Sequence, residues 1–308
     1  DDDMIRGRRT RRDDEADDRD DRGEAKALAY TPPEIKEAIG QYKSKKYLSS
    51  SYNLFNILDS RKYPEQDVKI YYYLADSLYK MELYHSAQVY FIKVVGQGSG
   101  TYFAPALTKL VYIWRKTNDP TALVQLIGEV NPEDFPSKVR SDLMYLLGRR
   151  QFDEQNYRQA LKYLEQVSDR SDHYIQAQYI QGVIYNRQGK LKQSVGKFVD
   201  ILKETTVYGD PAEIEKTRHL ALLNIGRIYY GIEQFDKASD KYYEWVPRES
   251  EYWPASLFEA SWAYFMTEGR ENRALGHIMT LESPFYADSY WMPEMVILKA
   301  LIYYRICE

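Results

Sequence analysis

The sequence has little of the chemistry on which enzymes and metalloproteins depend. It contains one cysteine, Cys307, so it can form no disulfide within the chain. Its four histidines are scattered, and no His/Cys group has the spacing of metal ligands. No nucleophile motif of the G-x-S-x-G type occurs. We therefore expect a protein that is not an enzyme and that holds no metal and no cofactor.

An excess of positive charge and a long apolar run are also missing. The net charge is −4 at pH 7, whereas nucleic-acid-binding domains are typically strongly basic. No run of 18 apolar residues occurs, and the most apolar stretch, residues 295–304, contains Lys299 and is too short to span a bilayer. These absences predict no nucleic-acid partner and no membrane span.

The first 23 residues are almost devoid of apolar side chains. They hold nine Asp, one Glu and seven Arg. Such a segment buries too little surface to offset its ordering entropy, so residues 1–23 are predicted to be a disordered mixed-charge tether. The basic run at residues 6–12 is followed at once by acidic residues that neutralise it. Residues 24–29 are expected to begin a helix that caps the following array.

The sequence does contain a repeated pattern, seen best in residues 175–201. Small and large side chains recur there at helical spacing on both sides of Gly189, which interrupts the pattern. Small residues let two antiparallel helices approach closely, and a large side chain fills the space beside them. The residues that form this pattern are Gly182, Tyr185, Leu191, Ser194, Phe198 and Ile201.

The same spacing recurs in units that begin at Val68, Ser141, His219 and Ala255. Counting from the first residue of each unit, position 8 is small and position 24 is large. The resulting pairs are Ala75 with Phe91, Gly148 with Leu164, and Gly226 with Tyr242. Two weaker units begin at Thr31 and Phe103: Ser50 replaces an apolar small residue in the first, and Leu110 stands where a small residue is expected in the second. In that second unit, Ala122 and Leu126 are expected to face inward.

These motifs resemble the tetratricopeptide repeat (TPR) family, whose period is about 34 residues. The resemblance rests on Leu147-Gly148, Gly182-x-x-Tyr185, Ile225-Gly226-x-x-Tyr229 and Ala87-x3-Phe91. It implies an all-α fold, a right-handed α-solenoid of stacked antiparallel helix pairs. Residues 24–308 would then form an array of about seven units, followed by one unpaired terminal helix from about Pro293 to Cys307.

Two local features refine this prediction. Thr31 precedes Pro32 and Pro33, which is typical of a helix start with Thr31 at the N-cap. Residues 205–217 add about ten residues between two good units, and such insertions in solenoids map to loops on one face. We therefore expect an accessory loop there.

The resemblance also implies where a partner binds. In TPR arrays the first helices of the pairs line a concave groove, with exposed inner positions at 2, 5, 9, 12 and 13 of each unit. The partner-binding residues predicted in this way are Tyr72, Asp76, Tyr79, Trp114, Arg115, Tyr145, Arg149, Phe152, Tyr179, Arg187, Arg227 and Tyr230.

Three of these residues are arginines, Arg149, Arg187 and Arg227. They would suit acidic side chains or a peptide carboxylate. The alternative is that they pair with neighbouring Asp and Glu residues of the chain, and the sequence leaves both readings open. The carboxylate clamp of some TPR proteins is not indicated, because Tyr72 and Asp76 stand where it needs Lys and Asn.

The resulting functional prediction is a non-catalytic scaffold or adaptor that binds a protein or peptide segment in its concave groove. The alternative is a structural subunit of a bacterial cell-envelope assembly that uses its convex face and edges. The start at Asp1, the charged tether and the Tyr-rich irregular repeats resemble envelope TPR proteins. A periplasmic or outer-membrane-associated location is expected on that ground, with a cytoplasmic one as the alternative.

Overall fold

The computed structural model describes residues 31–286 and 288–307, and these residues are largely helical. Fifteen α-helices and five short 3-10 turns occur in that part of the chain, with no strand among them. The predicted all-α repeat fold is confirmed. The tether expected at residues 1–23 and the capping helix expected at residues 24–29 lie outside the described residues.

The chain divides into two compact units, Asp1–Arg140 and Ser141–Glu308. The described part of the first unit contains six helices, joined in consecutive pairs. They are α1 (Pro33–Lys43), α2 (Tyr47–Asp59), α3 (Asp67–Lys80), α4 (Tyr84–Gly96), α5 (Phe103–Thr117) and α6 (Thr121–Ile127).

The described part of the second unit contains four further pairs and a last single helix, and its first helix begins at the boundary residue. The helices are α7 (Arg140–Asp153), α8 (Tyr157–Leu164), α9 (Tyr174–Arg187), α10 (Leu191–Lys203), α11 (Pro211–Gly231), α12 (Phe235–Lys241), α13 (Trp253–Phe265), α14 (Glu271–Leu281) and α15 (Met292–Cys307). In α15 the buried residues are Met295, Leu298 and Ile302.

Five of the pairs are closed by the same three-residue turn. Its middle residue has a positive φ, between 60° and 71°, and the N–H of its last residue donates to a carbonyl five residues earlier. Lys190 N, for example, lies 2.9 Å from Tyr185 O. This is the Schellman motif, which ends a helix and reverses the chain. The middle residues are Lys45, Glu82, Gln155, Gly189 and Glu233.

Only one of these five turns has glycine in the left-handed position. We therefore expect glycine substitutions in these turns to change the free energy of unfolding of the protein. A side chain in that conformation costs about 1–2 kcal/mol, partly offset by the greater chain entropy of glycine in the unfolded state. We therefore expect Gln155→Gly to raise the free energy of unfolding by up to about 1 kcal/mol, and Gly189→Ala to lower it by a similar amount. A Cβ at Gly189 would meet nothing within 4 Å, so the effect there is one of the backbone alone. Urea unfolding curves measure both, and equal stability of both variants and the parent would contradict the prediction.

Two pairs, α7–α8 and α9–α10, are joined by a close approach of a glycine on the first helix to a large side chain on the second. A Cβ built on Gly148 would lie 2.6 Å from Leu164 Cγ, and one on Gly182 would lie 2.7 Å from Phe198 Cε1. Phe198 is completely buried. The helices can be this close only because these two positions lack a Cβ.

Serine at the small position of the second helix adds a hydrogen bond between the helices. Ser50 Oγ donates to Ala38 O at 2.8 Å, and Ser194 Oγ donates to Gly182 O at 2.7 Å. Both serines are fully buried. The polar residue at Ser50, which seemed a weakness of the first unit, is therefore small enough for the site and satisfies its own hydroxyl.

In two pairs the large residue that packs against the first helix is one position later than predicted. Tyr243 rather than Tyr242 lies against Gly226, because α12 ends at Lys241 and Tyr242 leaves helical geometry with φ −131° and ψ −56°. In α6 the fully buried residues are Leu123 and Ile127, whereas Ala122 and Leu126 had been expected to face inward. There α5 ends directly in a left-handed residue, Asn118, instead of the usual turn.

Two local predictions were wrong. Pro32, not Thr31, occupies the N-cap position, since Pro33 is the first helical residue; the Thr31 hydroxyl instead accepts a hydrogen bond from Lys69 Nζ. The insertion at residues 205–217 is only partly a loop, because its second half lengthens α11 to 21 residues. Asp210 caps that extension by accepting from Ala212 N at 3.0 Å.

The glycine contacts predict opposite effects for one substitution at two sites. Gly182→Ala forces a methyl group into the buried ring of Phe198, and overpacking of this kind costs about 1–3 kcal/mol. Gly196 lies inside α10, where a Cβ would meet nothing within 4 Å, so Gly196→Ala should add about 0.5–1 kcal/mol of helix stability. Thermal unfolding followed by circular dichroism measures both. A Gly182→Ala variant as stable as Gly196→Ala would show that the close approach does not hold this pair.

Candidate protein-binding surface

In the first unit, the predicted site residue Asp76 lies at the centre of a buried polar cluster. Its side chain accepts a hydrogen bond from the Tyr42 hydroxyl, and its Oδ1 lies 3.4 Å from Lys109 Nζ. The ammonium group of Lys109 also lies 4.6 Å from the ring centroid of Tyr79. Asp76 is 1% exposed and Lys109 5%. This cluster connects α1, α3 and α5, the first helices of three successive pairs.

The other predicted residues of the first unit are divided between the interior and the surface. Tyr72 is half-buried among aromatic rings, 4.8 Å from Tyr102 and 6.0 Å from Phe91 between centroids. Tyr79 is half-buried and packs edge-on against Tyr84. Arg115 is exposed.

The expectation that all twelve residues are exposed was wrong for Asp76, Trp114 and Tyr145. Trp114 and Tyr145 are each 7% exposed, and Asp76 is almost wholly enclosed. For Asp76 and Tyr145 the physical reason is a contact with a later part of the same unit: Asp76 meets Lys109 of α5, and the Tyr145 ring stacks on His173.

The buried pair in the first unit yields a stability prediction. Asp76→Asn keeps the shape and an acceptor for Tyr42 but leaves the Lys109 ammonium buried without its counter-charge. Breaking a buried pair in this way costs about 3–5 kcal/mol, whereas a second change, Lys109→Met, should restore most of the loss. Lys62→Met is the control, because it breaks an exposed pair with Glu34 and should change little. Chemical unfolding of the four proteins measures this, and a double variant no more stable than Asp76→Asn would contradict it.

In the second unit, side chains link the first helices in series. Between α7 and α9, the Arg187 guanidinium lies 4.9 Å from the ring centroid of Phe152. Between α9 and α11, Asn224 Nδ2 donates to the Tyr179 hydroxyl at 3.0 Å. Arg227 of α11 forms a forked ion pair with Glu259 of α13, with Nε–Oε2 at 2.9 Å. Four of the predicted residues therefore make contacts between successive first helices. They are Phe152, Tyr179, Arg187 and Arg227.

Tyr145 lies on α7, the first helix in this series, and under Arg149. Its ring stacks on His173 with centroids 4.6 Å apart and an interplanar angle of 5°, and His173 Nε2 lies 3.5 Å from Asp142 Oδ1. Burial raises the pKa of the Tyr145 hydroxyl, and the nearby guanidinium of Arg149 acts in the opposite direction. Arg149 itself is exposed.

The three arginines differ in what they contact. Arg227 is bound by Glu259, so for this residue the reading as a neighbour-paired cation is supported. Arg187 donates to the Tyr157 hydroxyl at 2.8 Å and lies over the rings of Phe152 and Tyr157. Among the described residues neither Arg187 nor Arg149 has a carboxylate within ion-pair distance.

We name the set Arg149, Phe152, Tyr157 and Arg187 the arginine–aromatic ledge. Arg149 and Arg187 are exposed, and Phe152 and Tyr157 are half-buried. The two aromatic rings lie 6.1 Å apart and hold the Arg187 guanidinium. Such a surface offers charge-assisted donors beside apolar rings, the combination that dominates binding at protein interfaces.

Tyr230 lies elsewhere on the second unit, edge-on to Phe235 with centroids 5.1 Å apart. Residues that matter for these contacts and were not predicted include Lys109, Tyr157 and His173. Tyr157 carried a usable signal, since it lies about one repeat from Arg187. Lys109 and His173 carried no such signal, because neither stands at a position that the repeat pattern assigns to binding.

Within residues 31–286 and 288–307, no group of three or more His, Cys, Asp or Glu side chains is placed to hold a metal ion. No helix in that part of the chain has the length and apolar character needed to cross a bilayer.

The recurring packing decides the kind of fold. Helix pairs closed by the same turn occur in both units, and in both a small residue of the first helix is in contact with the second helix. The chain is a TPR-like repeat protein. Neither a protein-family model nor a curated protein matches the sequence of this TPR-like array.

Three solved structures are similar to the array. The C-terminal part of a TPR repeat-containing protein from Cytophaga hutchinsonii is 18% identical over 81% of this chain and 96% of that one, with a TM-score of 0.48. A tetratricopeptide repeat protein from Parabacteroides merdae is 12% identical over 87% and 97%, with a TM-score of 0.38. The apo form of the quorum sensor NprR from B. thuringiensis is 14% identical over 96% and 77%, with a TM-score of 0.36. Since these TM-scores are below 0.5, the assignment rests on the chain's own helix pairs.

Proposed function

We propose that this TPR-like protein is a non-catalytic scaffold or adaptor that binds an acidic protein or peptide segment at the arginine–aromatic ledge of its second unit. The supporting observation is the contrast among the arginines on the first helices. Arg227 is neutralised by Glu259, whereas Arg149 and Arg187 are exposed and, among the described residues, contact tyrosine and phenylalanine side chains instead of a carboxylate.

The chemistry of the ledge favours a carboxylate. Each guanidinium presents several donors in a plane, and a carboxylate accepts two of them at once. The rings of Phe152 and Tyr157 fix Arg187 before the partner arrives, so less side-chain entropy is lost on binding. An aliphatic residue of the partner next to its acidic group would pack on the same rings.

Binding of an acidic peptide tests this proposal. The probe is a fluorescein-labelled peptide of alternating Glu and Leu with a free C-terminal carboxylate, measured by anisotropy. We expect Arg149→Ala and Arg187→Ala each to weaken binding by about tenfold, since a hydrogen bond to a charged group is worth about 1.5–3 kcal/mol. Binding should also weaken as salt rises.

The matched control is Arg150→Ala, which removes the neighbouring guanidinium on α7. Arg150 is held by Glu154 at 2.8 Å, so this change should leave peptide binding unaltered. A second control is the same peptide with Gln for Glu and an amidated terminus, which should not bind. Equal losses for Arg150→Ala and Arg187→Ala, with the helical circular dichroism unchanged, would place the site elsewhere.

The alternative, a structural subunit of a cell-envelope assembly, is favoured by a separate observation in the first unit. Leu48, Tyr52 and Phe55 of α2 are 74%, 66% and 48% exposed. They fall at i, i+4 and i+7 and so form an apolar stripe on one side of a second helix. A periplasmic or outer-membrane-associated location belongs to this alternative, and a cytoplasmic one is compatible with the scaffold role alone. Fractionation of cells that make the protein from its native gene separates the two.

A further inference from the structure

Residues 205–210, the loop part of the insertion before α11, are fixed to the rest of the second unit at several points. At the start of the loop, Arg218 of α11 donates through Nη2 to Glu204 O at 2.6 Å. In its middle, Val207 packs against the buried cluster formed by α9, α10 and α11. At its end, Asp210 caps α11. A loop held at both ends and in the middle can support the residues that it touches.

Gly209 is the point at which this loop meets the segment before α9. Its φ is +112°, a conformation that side chains rarely adopt. A Cβ built on Gly209 would lie 2.6 Å from the carbonyl oxygen of Asp172 and 3.3 Å from its Cα. Both are backbone atoms, which cannot move aside as the end of a flexible side chain can. The loop therefore reaches the backbone of Asp172 only because Gly209 has no side chain.

The contact at Asp172 leads directly to the arginine–aromatic ledge. His173, the next residue, occupies the N-cap position of α9, and its ring stacks on Tyr145 of α7. The guanidinium of Arg149 lies beside the Tyr145 hydroxyl. The loop is therefore connected to Arg149 through one backbone contact, one peptide bond and one stacked pair of rings.

The two arginines of the ledge are held by different parts of the second unit. Arg187 donates to the Tyr157 hydroxyl and lies over that ring. Arg149 lies beside Tyr145, and the Tyr145 ring is covered by His173. Among these contacts, those of Arg149 lead to the insertion and those of Arg187 do not.

We propose that the insertion is a positioning element of the arginine–aromatic ledge. Through Gly209, residues 205–210 hold the His173 ring in its stack. The stack fixes Tyr145, which determines where Arg149 presents its guanidinium to a partner. Gly209 and His173 are positioning residues in this arrangement, since they act through Arg149. The proposal rests on the function proposed above for the ledge.

Nuclear magnetic resonance of protein with labelled histidine tests the support without any ligand. Protons of a ring that stacks on an aromatic ring are shifted upfield, and the His173 signals are assigned by their loss in His173→Gln. We expect Gly209→Ala to move these signals towards those of an unstacked histidine, because the added methyl group displaces Asp172. Gly269→Ala is the matched control: φ is +77° there, but a Cβ would meet nothing within 4 Å. Unchanged His173 signals in Gly209→Ala would overturn the proposal.

The labelled acidic peptide tests whether this support affects binding. Gly209→Ala should weaken binding about fivefold, a smaller loss than that expected for Arg149→Ala. Since it acts through Arg149, it should have no further effect in an Arg149→Ala background and its full effect in an Arg187→Ala background. Gly269→Ala should leave binding unaltered. A general loss of stability would act alike in both backgrounds, so equal effects in the two would overturn the proposal.

Two variants of His173 test the stack itself. His173→Phe keeps a ring against Tyr145 and should retain binding, whereas His173→Ala should weaken it as Gly209→Ala does. Both variants lose the contact of His173 with Asp142, so the difference between them isolates the ring. Equal binding by the two variants, with the helical circular dichroism unchanged, would show that the stack does not position Arg149.

Failure of the proposed function gives a different result. If the parent protein does not bind the acidic peptide, the ledge is not the site. The histidine signals of Gly209→Ala and Gly269→Ala then still show whether the insertion holds the stack.

Discussion

The structure depends on the close approach of two helices at a position that has no room for a larger side chain. At Gly182 the first helix comes so near to the second that a single methyl group would collide with the Phe198 ring. Each such contact lies within about 20 residues of sequence, so each hairpin forms its own piece of core. The core then grows by addition of alike pieces, and local pairing takes the place of a single central interior.

Local pairing also explains why inner side chains of the first helices contact the next helix pair. Each pair must still be fixed to the next, and the residues available for this task lie on the same helices that would face a partner. Asp76 meets Lys109 and Arg227 meets Glu259 across such junctions. Binding and stacking therefore compete for the same positions, and a partner can use only the side chains that stacking leaves exposed.

Much of the fold could be predicted from the sequence because the hairpin signal is local. The small residues at Gly148 and Gly182 and their large partners lie where the spacing places them. The pattern fails where the backbone departs from the regular turn. The helix ends before Tyr242, so Tyr243 and not Tyr242 packs against Gly226. A pattern of side chains does not show such a change in φ and ψ.

The candidate surface was less predictable for a different reason. Spacing identifies which residues lie on a first helix, but it does not show which of them the next helix covers. Trp114 and Tyr145 are buried and Arg149 is exposed, although the repeat pattern treats all three alike. The deciding contacts join residues about one repeat apart, such as Arg187 with Tyr157, and depend on side-chain reach as well as on register.

The same reasoning explains why α15 differs from the other first helices of its unit. Helices α7, α9 and α11 are each followed by a second helix that covers their small residues, so their inner faces need only supply junction contacts. Helix α15 makes its junction through Met295, Leu298 and Ile302 and still exposes a second apolar side. Apolar area of this kind is unfavourable in water unless another surface covers it.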